Sequence, residues 1–249
     1  MILDNSMTER IIPRNASVGI VIGTFASVPY IHMQLEARKR FYPNIPCLVV
    51  DDGSYEYPQL TEICQQYGAD FFRNPARLGH VCGDMSSFVH GLLWAKAKNL
   101  CLLVKISRRW IMCRPWVEYL QQLAFCTQFP TYSNKCDRWG FGFRSECLAM
   151  HVEGWQTALV QLLHGIEIGW RDLAEAWYDQ RCSQRIPLCE IAQKIPTPHY
   201  GYMVWDILGT NRNTKRKDIL WHCSNLPEEY HQLSKSWDLP YELQDFRKV

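Results

Sequence analysis

Cys47-Leu48-Val49-Val50-Asp51-Asp52-Gly53-Ser54 decides the reading of this chain, because an apolar run closes there on two carboxylates and a turn. A run so short and so continuously apolar reads as a strand buried on both faces, as strands of parallel sheets are. The two acids then stand at the strand's carboxyl edge, where open α/β sheets bind ligands. Upstream, Val18-Gly19-Ile20-Val21-Ile22-Gly23-Thr24-Phe25 is a second run of the same kind, β-branched and broken by glycine. Between them, residues 29–40 set Tyr30, Met33, Leu35 and Ala37 among Glu36, Arg38, Lys39 and Arg40, the pattern of a half-buried helix. The unit is strand, helix, strand. An Asp-Asp-Gly-Ser turn is also ordinary loop chemistry, since Asp and Gly favour turns in any context.

These residues resemble the nucleotide-sugar glycosyltransferases of the GT-A fold, above all the large inverting family. That family opens on a strand ending in Thr plus an aromatic and continues to a Val-Asp-Asp-Gly-Ser turn. The resemblance spans residues 18–178 and is densest at Val49 to Ser54. It implies an α/β fold with a mixed, mainly parallel, Rossmann-like sheet flanked by helices and a small C-terminal extension. It also implies that Asp51 or Asp52 binds the donor's nucleoside, with Thr24 beside them.

The chain has 249 residues, 47% hydrophobic and 13% aromatic, enough to bury a substantial core. The expected layout is an N-terminal arm over 1–17, a catalytic and nucleotide-sugar-binding domain over 18–184, and a C-terminal extension over 185–249 packing on that domain. A net charge of +2 supplies no global field for nucleic acid or a membrane surface. The 11 cysteines form no Cys-x-x-Cys pair and no zinc-ligand spacing, so they read as reduced thiols of a cytoplasmic protein. The sequence gives no sign of a signal peptide or a membrane-spanning helix, which leaves peripheral attachment to a membrane open.

Further on, the sequence predicts a helix over 57–67, a short strand over 69–74, a loop over 75–84 and a helix over 85–98. In the resembled family this loop and helix flank the donor, which makes Arg77, His80 and Asp84 candidate contacts. Asp84 reads equally well as a helix N-cap.

Leu102-Leu103-Val104-Lys105-Ile106-Ser107-Arg108-Arg109 occupies the place of the family's central strand and its Asp-x-Asp signature, which holds a divalent metal. The acids are missing, and Lys105, Arg108 and Arg109 stand there instead. A nucleoside diphosphate gains negative charge as it leaves, and fixed cations aimed at it supply what a metal otherwise would. The expectation is therefore a metal-independent enzyme with no cofactor, manganese or magnesium not being favoured. Two other readings stay open: a solvated basic turn before a helix over 115–124, and a degenerate enzyme that binds sugar nucleotides without turning them over.

Arg138-Trp139-Gly140-Phe141-Gly142-Phe143-Arg144-Ser145-Glu146 resembles the family's segment under the donor sugar, where Trp139, Phe141 and Phe143 either stack on the sugar or simply pack as strand aromatics. Past an amphipathic helix over 155–163, an acid near residues 166–179 takes the place of the family's general base. A carboxylate can deprotonate the acceptor hydroxyl as the new bond forms. Glu175 ranks first, Asp172 second and Glu167 behind them; each also reads as a solvated helix charge pairing with Arg171 or Arg181. A strand pair over 186–192 and 200–208 precedes a basic loop in which Arg212, Lys215, Arg216 and Lys217 either fold over the donor diphosphate or remain solvated. His222 reads as structural. The function implied is an inverting glycosyltransferase that moves a sugar from a nucleotide-sugar donor to a glycan or other hydroxyl acceptor, within polysaccharide or glycan synthesis. Its rivals are a non-catalytic sugar-nucleotide or glycan-binding protein, and a nucleotidyltransferase.

Overall fold

The structure is a computed structural model and describes residues 17–108, 111–112, 117, 131–135, 143–153, 159, 199–200, 220–221 and 227–247. The elements run β1 (Val18–Thr24), α1 (Val28–Phe41), β2 (Cys47–Asp51), α2 (Tyr57–Gln66), β3 (Asp70–Arg73), α3 (His80–Ala97), β4 (Leu102–Ser107), β5 (Ile111–Met112), β6 (Thr131–Lys135), β7 (Phe143–His151), β8 (His199–Tyr200), β9 (Leu220–Trp221), α4 (Pro227–Ser236) and α5 (Leu243–Arg247). Seven strands form one sheet in the order β3-β2-β1-β4-β7-β6-β8, and β5 pairs with β9 apart from it. The first four are mutually parallel, β7 is antiparallel to both β4 and β6, and β8 is parallel to β6. This is the mixed, mainly parallel α/β sheet flanked by helices that the resemblance implies.

Alternation along the strands divides the core into two layers. Ile20, Ile22, Val49, Val104 and Ile106 face α1, where they meet Ile31, Met33 and Leu35. Val21, Leu48, Val50 and Leu103 face α3, where they meet Met85, Phe88, Val89 and Leu92. Full burial of such side chains is worth about 1.5–3 kcal/mol each. Register then sets the carboxyl edge: Thr24 lies opposite Asp51, Gly23 opposite Ser107, and Asp51 opposite Arg73.

The end of the chain completes the α1 layer. Helix α4 opens on Pro227 with Glu228 and Glu229 in its first turn and Lys235 in its last, charges that suit the helix dipole. Its Tyr230 and Phe246 of α5 sit edge-on to Tyr30 of α1, with ring centroids 4.8 and 5.4 Å away. The Tyr30 hydroxyl donates to the Phe246 carbonyl at 3.0 Å.

Several boundaries differ from expectation. Helix α3 begins at His80 rather than Met85, so Asp84 lies within the helix and is not its N-cap. The polar stretch 131–135 is strand β6, held by β7 on one side and β8 on the other. Residues 186–192, most of 200–208 and the helices over 115–124 and 155–163 lie outside the described residues, except Tyr200, Val117 and Leu159. Cys47, Cys64 and Cys82 are buried and Cys101 is exposed. Burial pushes the thiols of Cys47 and Cys64 up to about 12. No helix among the described residues is long and apolar enough to cross a membrane.

Candidate functional site

The acid turn is built into the protein rather than draped over it. Asp51 Oδ2 accepts from the Ser54 backbone N–H at 2.9 Å and Oδ1 from the Ser54 hydroxyl at 2.7 Å. Burial raises the Asp51 carboxyl above its usual range, against the downward pull of the Ser54 hydrogen bonds and of Arg73, whose Nε stands 3.8 Å away. Asp52 reaches the other way. Its Oδ1 accepts from Asn74 Nδ2 at 3.0 Å and the Leu78 backbone N–H at 2.9 Å, and its Oδ2 from the Gly79 N–H at 3.1 Å. Asn74 is fixed in turn by its own N–H to the Asp51 carbonyl and by the Ser86 hydroxyl on its Oδ1. At Gly53, which has φ +74°, a Cβ would fall 2.7 Å from the backbone of Ala76 and Arg77. Both acids therefore weld the 51–54 turn, the 74–79 loop and the start of α3 into one unit.

Lys105 does not face an open edge, which the sequence reading expected of it. It lies within β4 on the α3 side, fully buried, with its ammonium paired to Asp84 Oδ1 and 4.8 Å from the Phe88 ring centroid. Lysine is almost never buried without a partner, and its partner here comes from α3. Among the described residues Asp84 Oδ2 has no hydrogen-bond partner. Ser87 donates to the Asp84 carbonyl at 2.6 Å, and its Oγ would stand 3.0 Å from a Cβ on Gly23, so glycine there lets α3 approach β1.

On the α1 side, Thr24 is buried and its hydroxyl has no hydrogen-bond partner among the described residues. Its carbonyl accepts from the Asp52 N–H at 2.9 Å, tying the ends of β1 and β2 together. Arg108 follows β4 and reaches back to the β1–α1 turn, donating from Nη1 to the Phe25 carbonyl and, at 2.8 Å, to the Ser27 hydroxyl. Between those two residues Ala26 sits in the left-handed region at φ +47°. The guanidinium carbon of exposed Arg77 lies 4.1 Å from the Phe25 ring centroid. His80 opens α3 immediately after Gly79.

The structure thus brings Thr24, Asp51, Asp52, Arg77 and Arg108 to the carboxyl ends of β1, β2 and β4, while Lys105 and Asp84 pair between β4 and α3. Arg109, Glu167, Asp172, Glu175, Arg212, Lys215, Arg216, Lys217, His222, Trp139 and Phe141 lie outside the described residues. Among the described residues no three His, Cys, Asp or Glu side chains are grouped to hold a metal ion. Sequence reasoning passed over the supporting polar residues Ser27, Asn74, Ser86 and Ser87. The signal available for them was their density of small polar side chains beside strand ends and glycines.

No protein-family model matches this chain, and neither does any curated protein. Among solved structures it is similar to the glycosyltransferase GlyE of Streptococcus pneumoniae, at a TM-score of 0.46 and 13% identity over 74% of this chain and 45% of that one. S. aureus TarS gives 0.44 and 10%, over 57% of this chain and 29% of that one. A cytidylyltransferase from Leptospira borgpetersenii gives 0.46 and 15%, over 94% and 93%. The chain spans less than half the length of GlyE and of TarS.

Proposed function

We propose that this chain is a nucleotide-sugar glycosyltransferase that inverts the transferred sugar and needs no divalent metal. One observation carries the reading: a double-aspartate turn at the carboxyl edge, welded through Asp52 to the 74–79 loop and the start of α3, with Arg77 and Phe25 at its rim. Such a floor holds a ligand in one orientation without reorganising, which is what electrostatic catalysis requires.

In this proposal Asp51 and Asp52 shape the nucleoside end of the site, with Thr24 and His80 beside them. Arg77, together with Arg109 and Arg212, meets the diphosphate. Lys105 and Asp84 anchor α3 beneath it. The acceptor hydroxyl attacks the anomeric carbon, Glu175 or Asp172 takes its proton, and the bond to the diphosphate breaks with both electrons leaving on the phosphate oxygen. The acceptor is a glycan or another hydroxyl compound.

A panel of nucleoside diphosphate sugars, assayed for released nucleoside diphosphate with and without EDTA, tests the reading. Release from one donor that survives chelation is the expected result. Strict manganese dependence overturns metal independence, and release of pyrophosphate from nucleoside triphosphates in place of diphosphate overturns the glycosyltransferase reading.

A further inference from the structure

Arg108 is one of the cations that the sequence offers for the departing diphosphate, yet its guanidinium is directed elsewhere. Its Nη1 donates to the Phe25 carbonyl and to the Ser27 hydroxyl, and the Ser27 hydroxyl itself donates to the Phe25 carbonyl at 2.9 Å. Those three groups close a ring around Ala26, the one residue of the turn in left-handed backbone. A non-glycine residue there carries strain of about 1–3 kcal/mol, which persists only where the surroundings over-determine it. A cationic donor on the preceding carbonyl is such a determinant, because charge-assisted hydrogen bonds are roughly twice as strong as neutral ones.

The strained turn is not isolated from the candidate site. It follows Thr24, whose carbonyl ties to Asp52, and it carries the Phe25 ring on which the Arg77 guanidinium lies. It also precedes α1, whose first backbone bond runs from the Ile31 N–H to the Ser27 carbonyl at 3.1 Å. Release of the turn would let Phe25 shift, and Arg77 with it.

We propose that Arg108 is a positioning residue: it clamps the Phe25-Ala26-Ser27 turn in its left-handed form, so that Phe25 presents Arg77 to the diphosphate of the nucleotide sugar. This rests on the glycosyltransferase reading and deepens it, by moving Arg108 from the ligand to the support behind the ligand's partner.

The clamp and a direct phosphate contact differ in one respect. If Arg108 exists to hold a strained alanine, glycine at position 26 removes the need for it, because glycine adopts positive φ without penalty. The test is a double-mutant cycle of Arg108→Ala and Ala26→Gly, read as donor KM and kcat in the diphosphate-release assay, with melting temperatures in parallel. The expected result is a KM raised roughly tenfold in Arg108→Ala with kcat less affected, as loss of a charge-assisted hydrogen bond gives. In the double variant KM then returns to within about threefold of Ala26→Gly alone, a coupling of the size found between contacting residues. Arg108→Gln, which keeps a donor, replaces Arg108→Ala if the alanine chain does not fold. A double variant as impaired as Arg108→Ala overturns the clamp and makes Arg108 a ligand contact, leaving the glycosyltransferase reading intact. A wild-type chain that releases diphosphate from no donor overturns that reading, and the positioning role falls with it.

Discussion

Asp52 Oδ2 lies 2.4 Å from the point where a Cβ on Gly83 would stand, so the carboxylate that organises the candidate site is seated against bare helix backbone. Glycine inside a helix is normally a liability of about 1 kcal/mol relative to alanine. Here the sign reverses. Gly83→Ala is expected to destabilise by about 1–3 kcal/mol, the usual cost of overpacking, since Asp52 is held by Asn74, Leu78 and Gly79 and has nowhere to retreat. Urea denaturation measures it, and a stabilised Gly83→Ala would refute the contact.

The Lys105–Asp84 pair predicts an asymmetric mutant cycle. Removing one partner of a buried pair strands the other charge and costs about 3–5 kcal/mol, whereas replacing both with apolar residues of similar volume is often neutral or stabilising. Lys105→Met alone should therefore unfold at much lower denaturant than wild type, and Lys105→Met with Asp84→Leu should recover most of the loss. If the single and double variants were equally destabilised, the charge pair would not be the reason Lys105 is buried.

Buried histidines are expected to weaken the fold as pH falls. Burial pulls the ring of His151 down to about 4 and lowers those of His32 and His90. A histidine depressed in the folded state binds its proton more readily when unfolded, so its contribution is complete above the ordinary value of about 6.5. It declines as pH falls, and for His151 the decline continues to about pH 4, amounting to on the order of 3 kcal/mol. His32 adds to this through geometry, its Nδ1 2.8 Å from the Tyr241 hydroxyl and its Nε2 2.9 Å from that of Tyr67. Because Tyr67 donates its proton to Glu36 at 2.8 Å, Nε2 must be the donor and Nδ1 the acceptor, which fixes the neutral tautomer. Asp51, raised by burial, acts in the opposite sense but nearer its own carboxylate range. Denaturant midpoints measured from pH 7.5 to pH 4.5 should fall steadily, and His151→Gln should flatten the slope. A flat wild-type profile would contradict the burial of these rings.

The parts of the fold that could be read from sequence are those whose pattern is local. Strands β1 and β2 and helices α1 and α2 come within a residue or two of their expected spans, because apolar runs and half-apolar periodicity are contained in the segment itself. Helix α3 is different: Gly79, Gly83 and Pro75 look like loop punctuation, and the reason for Gly83 is an aspartate in the turn after β2. Strand β6 carries Tyr132, Ser133, Asn134 and Lys135, a polar composition that only its neighbours β7 and β8 make into a strand. The cations near β4 were legible as a departure from the Asp-x-Asp pattern, but not their orientation. Lys105 finds its counter-ion on α3, and Arg108 finds its acceptors in the β1–α1 turn. Helix α4 carried a legible signal, the Pro227-Glu228-Glu229 start, that the sequence reading did not use.

Those C-terminal helices give a direct stability prediction. Phe246 is buried among Tyr30, Tyr230, Tyr241 and His231, with Tyr241 at 6.1 Å between centroids. Phe246→Ala should cost about 3–5 kcal/mol, the range for a buried aromatic truncated to alanine. Thermal unfolding reads this out. A change below about 1 kcal/mol, the scale of an ordinary surface substitution, would mean that the chain's end is not part of the core.

Thr24 separates a role in folding from a role in binding. Its hydroxyl is buried at the tip of β1 with no hydrogen-bond partner among the described residues, and an unsatisfied buried polar group costs about 1–3 kcal/mol. Valine has nearly the same shape without that group. Thr24→Val is therefore expected to raise stability by about 1 kcal/mol, seen as a higher denaturant midpoint at unchanged slope. If the hydroxyl is retained for the nucleotide sugar, the same variant binds donor more weakly, so stability rises while donor KM rises with it. Opposite movement of the two readouts is the signature of a group kept for a ligand. A Thr24→Val chain that is more stable and binds donor as wild type does would remove Thr24 from the site, and one that is less stable would show that the hydroxyl has a partner in the folded protein after all.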